Sequence, residues 1–279
     1  MPKNRRTPKL GQHFLTSASV ARAVAVAAGV TDGDTVLEIG PGKGILTAEI
    51  LALGARVVAI EKDLAMVRAL KETFRDELRE KRLEILEADA RDFLSARNPK
   101  LKTSYKVAAN IPYYITGELL RLCLTAKHQP TSLAFLVQKE VAERIVGKGY
   151  RAEGRGKNKE SILSLSVKVY GTPKYVRTVS RGSFSPPPNV DSAILSVSGI
   201  SRERFTTPIY GCSAEELERR FFAVVKAGFA QKRKTLGGNL KRKFGERALK
   251  ALSACGVSEK IRAEDVPLEK WLTIAVALG

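Results

Sequence analysis

The chain is poor in the residues that metal and disulfide chemistry need. It has two histidines, His13 and His128, and three cysteines, Cys123, Cys212 and Cys255, with no CxxC pair. That argues against a zinc site and a disulfide framework, and the odd count points to reduced thiols in the cytoplasm. Long apolar runs are missing too: none approaches the roughly 18–20 residues of a membrane-spanning helix. The alanine-rich stretch after Ser17 is broken by Arg22 and has no clear cleavage site, so a secretion signal is not expected. Residues 1–31 hold no acid, but the motif beginning at Gly11 leaves too little room before it for a transit peptide. Acids are scarce throughout. The chain sets 29 Asp+Glu against 48 Lys+Arg, a formal charge of +19. Such an excess calls for a polyanionic partner, nucleic acid ahead of an anionic membrane.

What is present reads best from residues 107–114, VAANIPYY. A short apolar run reads as a buried strand, and Pro112 stops it. Asn110 and the carbonyls around Ile111 then sit at a strand's carboxyl end, where open α/β sheets bind ligands. An amide oxygen, free carbonyls and the Tyr113 ring suit an adenine: oxygens accept from its amine, and the ring stacks on its face. The plainer alternative is an ordinary Asn-x-Pro turn with Tyr113 in the core.

At 279 residues and 44% hydrophobic, the chain has material for a large core and two domains. Residues 1–9 form a basic arm carrying Arg5 and Arg6, suited to phosphates. A helix capped by Ser17 or Ser19 is predicted to run to about residue 29. The first full strand, 35–39, runs into Gly40-Pro41-Gly42-Lys43-Gly44 and a helix over 45–53. Strand, glycine loop and helix make a nucleotide-binding start. The spacing is G-x-G-x-G, which departs from the dinucleotide fingerprint and disfavours a nicotinamide dehydrogenase. Glu38, just before the glycines, suits a ligand with cationic groups, such as the sulfonium and ammonium of S-adenosylmethionine. Glu61 ends the second strand, 55–61, about twenty residues past the glycines, where an acid holds ribose hydroxyls. A charged helix through about 82 follows, then a strand over 83–89 whose Asp89 can accept from an adenine amine or cap a turn.

Further helices over 116–126 and 139–147 alternate with a strand over 132–137, which means a parallel sheet. Cys123 falls in the apolar set of its helix and reads as core. Residues 147–159 read as an exposed basic loop. A helix over 162–170, a strand over 175–179, a stiff proline loop over 183–190 and a strand over 192–197 come next. The prolines would hold Phe184 in one exposed place, as base stacking needs; alternatively it covers the sheet edge. The remainder is helical, with helices expected over 213–230, 241–255 and 268–278. Residues 219–243 carry nine basic residues, among them Lys232, Arg233, Lys234, Lys241, Arg242 and Lys243, and no acid. Solvated helix faces usually alternate charge sign, so this run reads as nucleic-acid binding.

These residues resemble a known family, the small-subunit ribosomal RNA adenine dimethyltransferases. The resemblance spans nearly the whole chain and rests on GQHFL at 11–15, EIGPGKG at 38–44, IEKD at 60–63, Asp89-Ala90, NIPYYIT at 110–116, LVQKEVAERI at 136–145, SFSPPPNVDSAI at 183–194 and FAQKRKTL at 229–236. It implies an α/β chain: a Rossmann-like class I methyltransferase sheet with helices on both faces, and a small C-terminal helical domain. The expected divisions are an arm with a cofactor-site motif (1–18), a methyltransferase domain (19–199) and an RNA-binding domain (200–279). By the resemblance, His13, Leu15, Gly40, Glu61, Asp89 and Asn110 line the S-adenosylmethionine site, joined on the reading above by Glu38 and Gly42. Asn110, Ile111, Pro112 and Tyr113 hold the target amine, and Phe184 stacks on a flipped base. The family pattern most often has Asn where this chain has His13, so a changed contact is expected there. The implied substrate is a pair of adjacent adenosines in the hairpin loop near the 3′ end of small-subunit rRNA, met by a monomer on an immature subunit, with no membrane and no metal. Two rivals share the fold: a resistance-type large-subunit methyltransferase, expected to be alike only through residue 197, and a non-enzymatic assembly or transcription factor.

Overall fold

The computed structural model of the chain describes residues 13–95, 101, 104–147, 159–206 and 211–279. The chain divides into two compact units. One comprises residues 1–142 and 174–200, the other 143–173 and 201–279. The sequence placed its boundaries near 18 and 199; residues 143–173 instead group with the C-terminal helices.

The first unit opens with β1 (Phe14–Leu15) and α1 (Ala18–Ala27). Of the two candidate caps it is Ser17 whose hydroxyl accepts from the Val20 amide, at 3.4 Å. Then follow β2 (Thr35–Ile39), α2 (Ile45–Leu51), β3 (Arg56–Glu61), α3 (Leu64–Thr73), α4 (Arg75–Arg79), β4 (Leu83–Glu87), α5 (Ala90–Ser95), β5 (Lys106–Asn110), α6 (Thr116–Thr125), β6 (Ser132–Gln138) and α7 (Lys139–Val146). After α8 (Ile162–Lys168) come β7 (Thr172–Val179), β8 (Phe184–Ser185) and β9 (Ser192–Ser198). The seven-stranded sheet runs β4-β3-β2-β5-β6-β9-β7. The first five are parallel neighbours and β9 lies antiparallel to β6. Val36, Leu37, Val57, Val58, Val107, Ala108 and Leu133 through Val137 are all buried, as strands covered on both faces require.

Where one charged helix was predicted, α3 and α4 part at Phe74 (φ −111°, ψ 41°), which leaves helical geometry to bury its ring. That ring lies where a Cβ on Gly44 would come within 2.5 Å of its Cε2. Gly44 also sits at φ +81°, so glycine is required there twice over.

The second unit contains α8, α9 (Ala214–Gly228), α10 (Leu236–Phe244), α11 (Arg247–Ala254) and α12 (Leu268–Ala277). The helix predicted over 241–255 is two helices, because Gly245 adopts φ +68° and ψ −158°. Phe221 and Trp271 are buried at its centre, with Phe229 stacked on Trp271 at 5.6 Å between centroids. Among the described residues no helix is long and apolar enough to cross a membrane.

Candidate active site

From β2 the chain winds outward to β3 and β4, then returns to the other side of β2 for β5 and β6. The order therefore switches between β2 and β5, and a crevice opens at their carboxyl ends. One cavity there is lined by His13, Leu15, Glu38, Gly40, Gly42, Glu61, Asp89 and Asn110, together with Ile111, Pro112 and Tyr113. Residues far apart in sequence are brought together by strand register alone: Ile39 lies beside Ile60 and Ala109.

Each acid has a distinct setting. Glu61 is buried, and its Oε1 accepts from the amides of Lys62 (2.8 Å) and Asp63 (2.9 Å). Its Oε2 has one long contact, 3.3 Å from the Gly42 amide, leaving acceptor capacity toward the cavity. Glu38 is 1% exposed. Its Oε2 accepts the Thr47 hydroxyl at 2.6 Å, while Oε1 has no partner. Burial pushes this carboxyl up to about 8; the Thr47 hydrogen bond opposes the rise and the Glu61 charge adds to it. An orphaned, proton-hungry oxygen lining a cavity is what a cationic ligand group would satisfy. Asp89 lies two residues past β4, where its Oδ1 accepts from the Arg91 amide at 2.9 Å. Arg91 Nε and Nη2 and Lys62 Nζ take its other acceptor positions. The Arg91 guanidinium, followed by Lys62, holds this carboxyl well below the usual range. All four lone-pair directions of Asp89 are engaged, so a further donor must displace one of these partners. Lys62, 73% exposed, is the partner free to move.

Asn110 ends β5, and its Nδ2 donates to the His13 carbonyl at 3.1 Å. A carbonyl can only accept, so this hydrogen bond fixes which end of the carboxamide is nitrogen and leaves Oδ1 as a free acceptor. His13 Nδ1 lies 2.8 Å from the Pro186 carbonyl, which places the proton on Nδ1 and leaves Nε2 as the ring's other group. The His13 ring stacks with Tyr113 at 5.9 Å, and the Tyr113 hydroxyl meets Ser192 Oγ at 2.6 Å.

Phe184 departs from expectation. It is 4% exposed rather than presented to solvent, and it does not line the cavity. β8 pairs with β1 antiparallel, with Leu15 opposite Phe184, and the ring joins the core. It is therefore a core residue of the small β1–β8 sheet, not a fixed exposed platform. The exposed aromatic at this cavity is Tyr114, 78% exposed, which sequence reasoning passed over. Lys43 and Arg91 were missed as well; their only sequence signal is adjacency to the glycine loop and to Asp89. Cys123 is fully buried and burial pushes its thiol up to about 12, which leaves it unreactive core.

The basic residues fall in the second unit, while Arg5 and Arg6 and most of the 147–159 loop lie outside the described residues. Lys232, Arg233 and Lys234 are exposed on the α9–α10 turn with no acid partner among the described residues. Lys241, Arg242 and Lys243 occupy the last turn of α10, where the helix dipole favours cations whatever else binds. The run is less bare than its sequence. Glu216 pairs with Arg219 and Arg220, and Glu246 with Lys241, so acids outside the run fold back onto it.

The sheet order, the glycine loop after β2 and the cavity at the switch point define a class I methyltransferase, the S-adenosylmethionine-dependent fold class. Two solved structures match nearly the whole chain. A dimethyladenosine transferase from Plasmodium falciparum is 27% identical with a TM-score of 0.74, covering 94% of this chain and 96% of its own. The 23S rRNA methyltransferase ErmE is 27% identical with a TM-score of 0.71, covering 95% and 99%. Residues 3–278 match the model of the ribosomal RNA adenine dimethylase family, and the chain belongs to that family. Ribosomal RNA small subunit methyltransferase A of Dehalococcoides mccartyi is 39% identical over 267 residues, 94% of this chain and 84% of the relative. That of Deinococcus radiodurans is 38% identical over 275 residues, 98% and 86%. The likeness to the 23S enzyme reaches well beyond residue 197, so a helical C-terminal region does not by itself separate the two kinds.

Proposed function

We propose that the chain transfers methyl groups from S-adenosylmethionine to the exocyclic amines of two adjacent adenosines in the 3′-terminal loop of small-subunit rRNA, acting as a monomer on immature subunits. One observation carries the reading: Asn110 lines the cavity with its Nδ2 committed to the His13 carbonyl, which leaves Oδ1 as the acceptor of its carboxamide.

The cofactor would supply an electrophilic methyl on a sulfonium. Glu38 fits its cationic end, Glu61 its ribose hydroxyls and Asp89 its adenine amine. Adenine's N6 is a poor nucleophile because its lone pair is delocalised into the ring. Asn110 Oδ1 and the Ile111 carbonyl, accepting its two hydrogens, would turn that lone pair out of conjugation and toward the methyl. Pro112 fixes the turn that holds both acceptors, and Tyr113 packs against the base. Positioning and electrostatics then carry an in-line displacement. No base is needed before transfer, since the N6 proton leaves the cationic product afterwards. The target must be out of its stack, which is cheapest in a loop. With Phe184 buried, Tyr114 is the better-placed platform for a neighbouring base.

Labelled methyl groups followed into unmethylated small subunits should appear on both adenosines and nowhere on fully modified subunits. Label in large-subunit rRNA would transfer the assignment to the ErmE-like activity. Tight binding without label would make the chain an assembly factor.

Glu61→Ala should weaken S-adenosylmethionine binding by about 1.5–3 kcal/mol, the worth of a charged hydrogen bond. Calorimetry would read this directly, and unchanged affinity would remove Glu61 from the ribose site. Replacing Lys232, Arg233 and Lys234 together by Gln should flatten the log–log salt dependence of RNA binding by roughly 0.7–0.9 for each phosphate no longer neutralised. A slope equal to that of the unaltered chain would make this turn a solvated surface.

A further inference from the structure

The second unit holds a cavity of its own, of about 450 Å³, within the roughly 300–1,000 Å³ of small-molecule sites. Its rim carries four cations, Arg144, Lys232, Lys234 and Arg262. All four are exposed and none has an acid partner among the described residues. The two acids in its wall are already engaged: Glu160 pairs with Lys168 at 2.7 Å, and Glu264 pairs with Lys159. The rim is therefore positive and the acids are neutralised locally, an arrangement that favours a phosphate.

The interior is not merely basic. Phe229 lines it, half-buried, with one face supported by Trp271. Asn239 also lines it and is 5% exposed. Both hydrogens of its Nδ2 are taken, by the Gly228 carbonyl at 2.6 Å and the Gln231 carbonyl at 3.1 Å. This fixes the carboxamide, and its Oδ1 receives no donor among the described residues. The side chain is thus held in one orientation, and its oxygen keeps its acceptor capacity for a ligand in the cavity. Ring, fixed acceptor and cationic rim together match a single nucleotide: base against Phe229, an amine edge on Asn239, phosphates on the rim.

We propose that this cavity captures one unpaired, amine-bearing nucleotide of the rRNA, outside the loop that is methylated. The proposal rests on the RNA-substrate reading above, and adds that the second unit reads an extrahelical nucleotide rather than backbone charge alone. Such recognition reads the identity of a base on a large RNA, which phosphate contacts by themselves do not carry.

The test uses the full chain and unmethylated small subunits. Phe229→Leu keeps an apolar side chain and removes the ring. It should lower subunit affinity about tenfold or more, in the range of a single base stack, with the salt slope unchanged. Far-UV circular dichroism and the thermal unfolding midpoint should match those of the unaltered chain, which shows that the variant is folded. Arg262→Gln should instead lower the salt slope by the increment of about one phosphate. Benzoylphenylalanine in place of Gln231, irradiated on the subunit, should crosslink to one unpaired nucleotide, and this result stands even if Phe229→Leu fails to fold. Undiminished affinity in a folded Phe229→Leu, or crosslinks spread along duplex backbone, would overturn the pocket. The RNA-binding reading would survive that outcome if the Lys232, Arg233 and Lys234 triple variant still showed a flatter slope. A crosslink to ribosomal protein alone would overturn the nucleotide occupant.

Discussion

Replacing Asn110 by Ala should slow methyl transfer by about 10²–10³-fold, the usual cost of removing one preorganised polar group from the reacting centre, while RNA affinity stays in place. The expectation follows from how the side chain is held. The His13 carbonyl takes one N–H of the carboxamide, so Oδ1 needs no reorganisation when the amine arrives. Ala removes that acceptor and also leaves the His13 carbonyl without its donor. Asn110→Asp separates the two effects: it keeps an acceptor but sets oxygen against the His13 carbonyl, and should be impaired through misorientation. Single-turnover rates at saturating RNA and cofactor read the chemical step alone. An Ala variant as fast as the unaltered chain in that assay would take Asn110 out of the mechanism.

The second large effect concerns pH. Glu38 has its carboxyl at about 8 in the folded chain against 4.5 unfolded, because burial disfavours the charge. The folded state thus holds the proton more tightly. Its contribution to stability is complete below about 4.5 and is lost as pH rises through about 8. The ligand-free chain should lose stability over that window, on the order of a few kcal/mol, and Glu38→Gln should abolish the dependence. Cofactor binding has the opposite sense. A cationic group beside Oε1 favours the carboxylate, so binding should release a proton and tighten as pH rises toward 8, and the Gln variant should bind weakly at every pH. Calorimetry in buffers of different ionisation enthalpy counts the proton. Superimposable pH profiles for Glu38→Gln and the parent would remove Glu38 from both roles.

The parallel sheet and its ligand edge were legible because their signals are local. Strand, glycine loop and helix at 35–51, and the proline stop after Asn110, each encode their geometry within a few residues. The burial of Phe184 was not legible. It depends on pairing with Leu15, part of a two-residue strand that no periodicity announces. The basic run misled for a similar reason: Glu216 and Glu246 lie outside it in sequence but return to within 2.6 Å of its cations through helix spacing and a glycine break. The segment 143–173 was assigned by chain order, whereas it packs with helices that come after residue 201.

The pairing of β1 with β8 has a bearing on biosynthesis. His13 and Thr16 are pinned by the Pro186 and Ser183 carbonyls, 173 and 167 positions later, and it is His13 that orients Asn110. Interactions of such sequence separation form late, after the loop between them has closed. A nascent chain can build β2, β3 and β5 while still on the ribosome, yet the Asn110 amide, proposed above as the group that holds the amine, would stay unaligned until residue 186 has emerged. On that proposal, methylating competence would be withheld from an incomplete chain.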